Sequence, residues 1–282
     1  MLEINLLDET FDSNQAHNYH LSVQINENAL SVCILDTVRN KYIGLRQLQY
    51  NGSSDPDIAS VLKSALETED LLKLRYKSVS NLVLNEKSTL VPTLYFDDNK
   101  KEDIYQFSLS NTLNSSILVN NIPVLGISNV FSYSNDVQKL LNLSFPGIKY
   151  YHYSTPFLGY LASKSEHWTT PKCFVNINAN TIDIGIAQHK NLVFFNSFGF
   201  REYTDITFYI LSVLDKYKLS PMNTDVFMSV GSKNQQKIID CLTRYLNLIK
   251  YIQPSDEFTY SYIFDESQLS GYYNLFNLAL CE

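Results

Sequence analysis

Two short stretches carry the side chains most able to engage a polar ligand. Residues 24–28 read Gln-Ile-Asn-Glu-Asn and residues 176–180 read Asn-Ile-Asn-Ala-Asn. The amides of Gln24, Asn26, Asn28, Asn176, Asn178 and Asn180 can hydrogen-bond in both directions. They are weaker ligands for a hard cation than carboxylates, which magnesium favours. Glu27 is the one acid inside either stretch, and Asp36 and Asp183 lie nearby. A two-metal nuclease needs several strand-borne acids that converge, and no second acid is evident, so Asp36 and Asp183 read as solvated polar faces. Farther on, Ser229-Val230-Gly231-Ser232 places a hydroxyl and a flexible residue where a strand gives way to a helix.

Other chemistry is thinly represented. His17, His20, His152, His167 and His189 show no H-x-x-x-H spacing, so no metal ligands are assigned. His152 reads as a satisfied histidine in an edge strand. Cys33, Cys173, Cys241 and Cys281 form no C-x-x-C pair and read as buried free thiols. No G-x-S-x-G elbow, P-loop or G-x-G-x-x-G fingerprint occurs. No catalytic residue is assigned. Nine glycines in 282 residues leave few places for a phosphate to approach the backbone closely.

The elements that position these residues are repeated. Residues 21–36 align with 173–188 at a constant offset of 152, pairing Val23 with Val175, Ile25 with Ile177, Asn26 with Asn178, Asn28 with Asn180 and Ile34 with Ile186. Each stretch alternates apolar residues about an Asn-containing turn, the pattern of a β-hairpin. A third strand follows in each, Tyr42 to Tyr50 and Leu192 to Phe198, then helical spacing over Asp55–Glu67 and Tyr203–Tyr217. Asn129-Val130-Phe131 resembles Asp225-Val226-Phe227, Gln138-Lys139-Leu140 resembles Gln236-Lys237-Ile238, and Lys149-Tyr150 resembles Lys250-Tyr251. Each half reads β-β-β-α-β-α-β-α. Residues 78–120 lack a counterpart and read as an inserted subdomain before the fourth strand, with a hairpin through Asn120-Asn121. The division expected is 1–165 and 166–282, with Ser163 to Pro171 as the connection and a last apolar helix from Leu269 to Leu280.

Composition narrows the function classes. The chain is 45% hydrophobic and 18% charged, which suits a globular core. A net charge of −7 disfavours nucleic acid as a partner. The acidic N-terminal stretch is no secretory signal, and no apolar run approaches a membrane span, so a cytoplasmic location is expected. Twenty tyrosines and sixteen phenylalanines are a large aromatic load. Tyr150, Tyr151, Tyr260, Tyr262, Tyr272 and Tyr273 suit either core packing or a protein interface. Trp168, the only tryptophan, reads as an aromatic packed under the connecting loop.

The duplicated hairpins and helices resemble the actin-like ATPase (ribonuclease H-like) superfamily of actin, heat-shock chaperones and sugar kinases. The resemblance covers roughly residues 20–280. PilM-type pilus-assembly and FtsA-type division proteins, which carry an extra subdomain after the first helix, are similar at a distance. Taken whole, the chain resembles an uncharacterised bacterial family of actin-like fold with no assigned activity. The resemblance implies that the two hairpins cradle phosphates in a cleft between the halves. The superfamily's Asp-x-Gly-[Ser/Thr]-[Ser/Thr] pattern falls on Gln24 to Asn28, so its Asp is Gln24 and its Gly is Asn26. Glu27 then stands where a phosphate should sit. In the second hairpin the Asp is Asn176 and the Gly is Asn178, and of the superfamily's later Gly-Gly pair only Gly231 remains.

The implied nucleotide site, made of Gln24, Asn26, Glu27, Asn28, Asn176, Asn178, Asn180, Ser229 and Gly231, is therefore expected to be vestigial. No cofactor is expected to be turned over, although ATP can still be held. The reading that follows is a catalytically degenerate actin-like protein that binds another protein through residues 78–120 and the C-terminal tyrosines. The alternative is an ATPase or kinase in which Glu27, Asp36 or Asp183 replaces the missing ligands. A homodimer is a further reading.

Overall fold

Strands rich in alternating apolar residues open the chain. A computed structural model describes residues 2–26, 29–49, 58–85, 87–110, 113–178, 180–230 and 235–282. Two compact units emerge, the first made of Met1–Pro156, Ser255–Asp265 and Asn274–Glu282, the second of Phe157–Pro254 and Glu266–Tyr273. The expected connection at Ser163 to Pro171 thus lies inside the second unit, and two C-terminal stretches return to the first.

In the first unit, β1 (Leu2–Leu7) precedes a meander of β2 (Tyr19–Ile25), β3 (Ala29–Asp36) and β4 (Lys41–Gln49). Then come α1 (Ile58–Thr68) and β5 (Ser78–Val83). The start of α1 expected at Asp55 lies outside the described residues. After β5 the chain builds β6 (Ser88–Pro92), α2 (Lys101–Ser108), β7 (Ser115–Ile122) and β8 (Ile127–Ser134). It resumes with α3 (Asn135–Ser144) and β9 (Lys149–His152), after which α4 (Ser154–Lys164) carries the chain into the second unit from Phe157. The main sheet has the order β1-β4-β3-β2-β5-β9. Leu21, Val23, Ile25, Val32 and Ile34 face Leu62 and Ala65 of α1 and Val137 and Leu141 of α3 in one core.

The second unit repeats this plan with β10 (Lys172–Ile177), β11 (Thr181–Gln188), β12 (Asn191–Gly199), α5 (Tyr203–Lys216), β13 (Val226–Val230), α6 (Gln235–Leu242) and β14 (Ile249–Tyr251). The α5 start is fixed by a reciprocal cap, in which Glu202 and Asp205 each accept from the other's end of the turn. The order β12-β11-β10-β13-β14 matches β4-β3-β2-β5-β9 strand for strand. Register agrees as well. Val23 faces Val32 as Val175 faces Ile184, and the third strands bulge at Ile43 and Val193, opposite the equivalent steps Ile34–Leu35 and Ile186–Ala187. A bulge is a specific local device, so its recurrence supports duplication more strongly than residue identity does.

Two expectations need correction. The fourth strand of the first half is β5, not the Asn129–Phe131 segment. Ser78–Val83 pairs in parallel with β2 as β13 pairs with β10, whereas Asn129 to Phe131 lie in β8, the middle of a separate three-stranded sheet β6-β8-β7. The extra sheet therefore follows the fourth strand. Its hairpin turns at Pro123–Gly126, with Gly126 in the left-handed region at φ 62°, and Asn120-Asn121 lie within β7.

The expected last helix is also broken. After β15 (Thr259–Tyr260) the chain forms α7 (Glu266–Gly271), α8 (Tyr273–Phe276) and a 3-10 turn, Asn277–Cys281. Glu266–Tyr273 packs in the second unit and Asn274–Glu282 in the first.

Side chains clamp the extra sheet to the main one. Asn120 of β7 donates to Tyr150 O at 2.9 Å and accepts from His152 N at 2.8 Å, so a single amide satisfies the open edge of β9. His152 is buried. Its Nε2 lies 2.6 Å from Asn85 O, which can only accept, so Nε2 carries the proton and Nδ1 accepts from Ser154 Oγ at 2.7 Å. Burial pushes its pKa down to about 4. The neutral form is the folded form, so this contribution is complete above the ordinary imidazole value of 6.5 and is lost as pH falls toward 4. Burial also depresses His20, so the comparison must isolate His152. Between those pH values, unfolding free energy should fall in the wild type by about 3 kcal/mol more than in His152→Asn, measured by urea unfolding.

Candidate functional site

The residues singled out in each hairpin lie at the turn end of a polar row that crosses the sheet. In the first unit the row is Gln24, Ser31 and Gln47, on neighbouring strands in direct register. Gln47 Nε2 donates to Ser31 Oγ at 3.1 Å. Asn26 closes the turn: its N donates to Ala29 O at 2.9 Å and its Oδ1 accepts from Ala29 N at 2.7 Å. Glu27 and Asn28 lie outside the described residues.

The second unit has the corresponding row Ser197, Asp183, Asn176 and Ser229. Asp183 has no solvent exposure. Asn176 Nδ2 donates to its Oδ2 at 2.9 Å, Asn178 Nδ2 reaches the same oxygen at 3.4 Å, and Ser197 Oγ donates to Oδ1 at 2.6 Å. Ser229, also buried, donates to Ser270 O at 2.7 Å. Asn178 N closes its turn on Thr181 O at 2.9 Å. Asn180 is exposed, and its carbonyl accepts from Phe200 N at 2.9 Å. Gly231 lies outside the described residues.

The structure thus brings Asn176 and Asn178 onto one buried carboxylate, sets Ser229 beyond Asn176 on the next strand, and leaves Asn180 exposed. The solvated reading of Asp183 is corrected. It stands directly across β10 and β11 from Asn176, where the resemblance places the superfamily's Asp, so an acid and an amide occupy facing positions. The clue in the sequence is spacing: seven residues separate Asn176 and Asp183 around a short turn, which makes them direct partners. The solvated reading of Asp36 is corrected too. Asp36 is buried at the far end of β3 from the Asn26 turn, and its Oδ1 accepts from Val38 N at 2.9 Å and Arg39 N at 3.1 Å. It shapes the β3–β4 turn.

Close packing holds the second row in place. A Cβ on Gly185 would lie 2.6 Å from Leu161 Cδ1 of α4, so a larger residue there requires that leucine to shift. The equivalent position in the first unit is Cys33, whose thiol donates to Leu275 O at 3.4 Å. Burial pushes the Cys173 thiol up to about 12. Trp168 stacks on Phe174 and Phe227 at 5.3 and 5.4 Å. Among the described residues, no group of three or more His, Cys, Asp and Glu side chains is placed to hold a metal ion.

Exposed apolar side chains also occur in the segment that joins β6 to β7 and contains α2. Phe107 is 95% exposed and Leu94 86%, with Tyr95 and Leu113 also exposed. The C-terminal tyrosines are largely used within the fold. Tyr273 is buried, and Tyr260 stacks on Tyr42 at 5.6 Å, while Tyr262 is exposed.

A family model described as a protein of unknown function, DUF3822, matches residues 8–249. The chain belongs to the DUF3822 family. Among solved structures, it is similar to a protein of Bacteroides thetaiotaomicron with an actin-like ATPase fold and unknown function. The identity is 18% and the TM-score 0.77, over 86% of this chain and 94% of that one. It is also similar to PilM in the PilM–PilN type IV pilus biogenesis complex, with 11% identity, TM-score 0.58 and coverage of 93% and 96%. A third similar structure is the ethanolamine utilization protein EutJ of Carboxydothermus hydrogenoformans, with 7% identity, TM-score 0.51 and coverage of 98% and 93%. A search of curated proteins returns no match. The DUF3822 chain therefore has the actin-like ATPase fold. No helix among its described residues is long and apolar enough to cross a membrane.

Removing the acceptor at the centre of the second row strands the buried donor of Asn176 and the half-buried donors of Asn178 and Ser197. Asp183→Ala should lower stability by about 3 kcal/mol or more, and Ser197→Ala by about 1 kcal/mol. Urea unfolding measures both, and near-wild-type stability of Asp183→Ala would contradict a structural role for the row.

Proposed function

We propose that this DUF3822 protein is an actin-fold protein whose hairpin site does not support magnesium–ATP chemistry, and that it acts by binding another protein. One observation carries the first part. The only carboxylate in either described polar row, Asp183, already accepts from Asn176, Asn178 and Ser197 on its own sheet. The equivalent row of Gln24, Ser31 and Gln47 has none. Magnesium in phosphoryl-transfer sites is held through one or two carboxylates and the substrate phosphates. Exposing Asp183 to a metal would strand its donors. The residues present therefore do not fit a magnesium nucleotide, and no catalytic step is derived through one. In this reading Gln24 and Asn26 of the first unit, and Asn176, Asn178, Asn180 and Ser229 of the second, are each vestiges of a nucleotide-binding pattern; Glu27, Asn28 and Gly231, assigned to it by sequence, lie outside the described residues.

The binding part rests on the segment that joins β6 to β7. Contiguous exposed apolar patches mark interaction sites, whereas single exposed apolar residues are ordinary. In this reading the exposed Leu94, Tyr95, Phe107 and Leu113, all between β6 and β7, make up one such patch. The similar PilM structure is that of a complex with PilN, which agrees with a protein-binding use of this fold. The C-terminal tyrosines contribute less than their number suggests, because Tyr260 and Tyr273 pack internally.

A photo-reactive side chain placed at Leu113 in cells should capture a protein partner. Replacing Leu94, Tyr95 and Phe107 together by Ser, all on the surface, should weaken the isolated complex by roughly tenfold or more, about 1.4 kcal/mol. Binding unchanged in the triple variant would contradict the assignment of this surface.

A further inference from the structure

The two units share strand order, register and bulge, yet they treat one edge differently. In the first, the outer edge of β4 is covered by β1, antiparallel along Gly44 to Leu48, and by β15 alongside Lys41 and Tyr42. In the second, the equivalent strand β12 pairs with β11 on one side, and among the described residues no strand pairs with its other side. β12 runs for nine residues, Asn-Leu-Val-Phe-Phe-Asn-Ser-Phe-Gly, without a charge or a proline. Natural edge strands are kept short, charged, interrupted or covered, because an open apolar edge recruits another strand. The bulge in β12 lies near its start, at Val193, and leaves the stretch from Phe194 onward regular.

We infer that the outer edge of β12 is covered by β12 of a second copy of this chain, running antiparallel about a two-fold axis. The sister edge supplies the model, since β4 takes an antiparallel, mostly apolar strand there. Self-pairing also matches each face to itself. Phe194 and Phe198 pack toward the α5–α6 core, and Phe195 approaches Phe157 of α4 on the other face at 6.0 Å. A two-fold axis at Asn196 sets Phe194 of each copy opposite Phe198 of the other, an aromatic cross-strand pair. It also brings Lys190, before the strand, toward Glu202, after it. Lys190 already pairs with Glu166, and Glu202 caps α5, so this charge match adds to existing interactions. With no charge inside β12, no like charges are opposed, even in a chain of net charge −7. A closed isologous pair of this kind uses the β12 edge of both copies at once. It uses a different surface from the extra sheet and does not rest on that reading.

The test is the solution mass of the full chain across dilution, for the wild type and for Val193→Lys/Asn196→Lys. Both positions are exposed in the chain, and far-UV circular dichroism checks that the variant folds. The wild type should be a dimer and the variant should show half its mass. Oxidised Asn196→Cys should give a covalent dimer, with little cross-linking from a cysteine at Asn180, away from the axis. A wild type that stays monomeric at every concentration overturns the proposal. So does a dimer unchanged by the two lysines, or a monomer whose β12 edge instead takes up a strand of another protein.

Discussion

The central strands of each main sheet are buried on both faces, and everything else in the structure answers that constraint. A sheet buried on both sides needs two covers. The first cover is local: α1 and α3 in one unit, α5 and α6 in the other, each following its own strands in sequence. The second is not. In the unit built on β2–β5 it comes from the C-terminal stretch, where Phe276 meets Tyr42 at 4.9 Å and Leu278 packs with Leu82 and Tyr153. In the unit built on β10–β14 it comes from α4, which follows β9 in the chain. The last helical segment of each repeat thus belongs to the unit of the other, and cutting the chain at the repeat boundary would strip one face from both sheets.

The same constraint shapes the polar rows. They lie on the second face, where a buried carboxylate is tolerated only if its oxygens find donors. Asp183 has them on neighbouring strands of its own sheet, and the first unit avoids the problem by using Ser31 at the equivalent position. What catalysis would need, a carboxylate free to engage a cation, is the arrangement that burial on this face penalises. The hairpin turns close through Asn26 on Ala29 and Asn178 on Thr181, without need of a bound phosphate.

The hairpins, their third strands and the helices after them were legible because alternation and helical spacing reach the surface of a sequence. The register of Lys149-Tyr150 and Lys250-Tyr251 was legible too, and the pairing bears it out: each tyrosine faces its fourth strand at the equivalent place, Tyr150 at Asn81 and Tyr251 at Met228. β5 was not. Its sequence, Ser-Val-Ser-Asn-Leu-Val, is half polar because Ser80 and Asn81 hydrogen-bond inside the fold. The stronger Val-Phe string of β8 drew the alignment away. Asp183 escaped because an acid in an alternating strand looks solvent-facing until the cover of the second face is known, and that cover comes from a distant part of the chain. The broken C-terminal helix was hidden for the same reason.

The most direct test of the central claim is thermal unfolding of the full chain with millimolar ATP, in magnesium and in chelator, against each buffer alone. A ligand at ~100 times its dissociation constant adds about 2.7 kcal/mol, a rise of several degrees for a protein of this size. The structure predicts no magnesium-dependent rise with ATP, because Asp183 keeps its three donors. A rise that appears with magnesium and vanishes in chelator would contradict the account and would mean that the hairpins still bind a metal nucleotide.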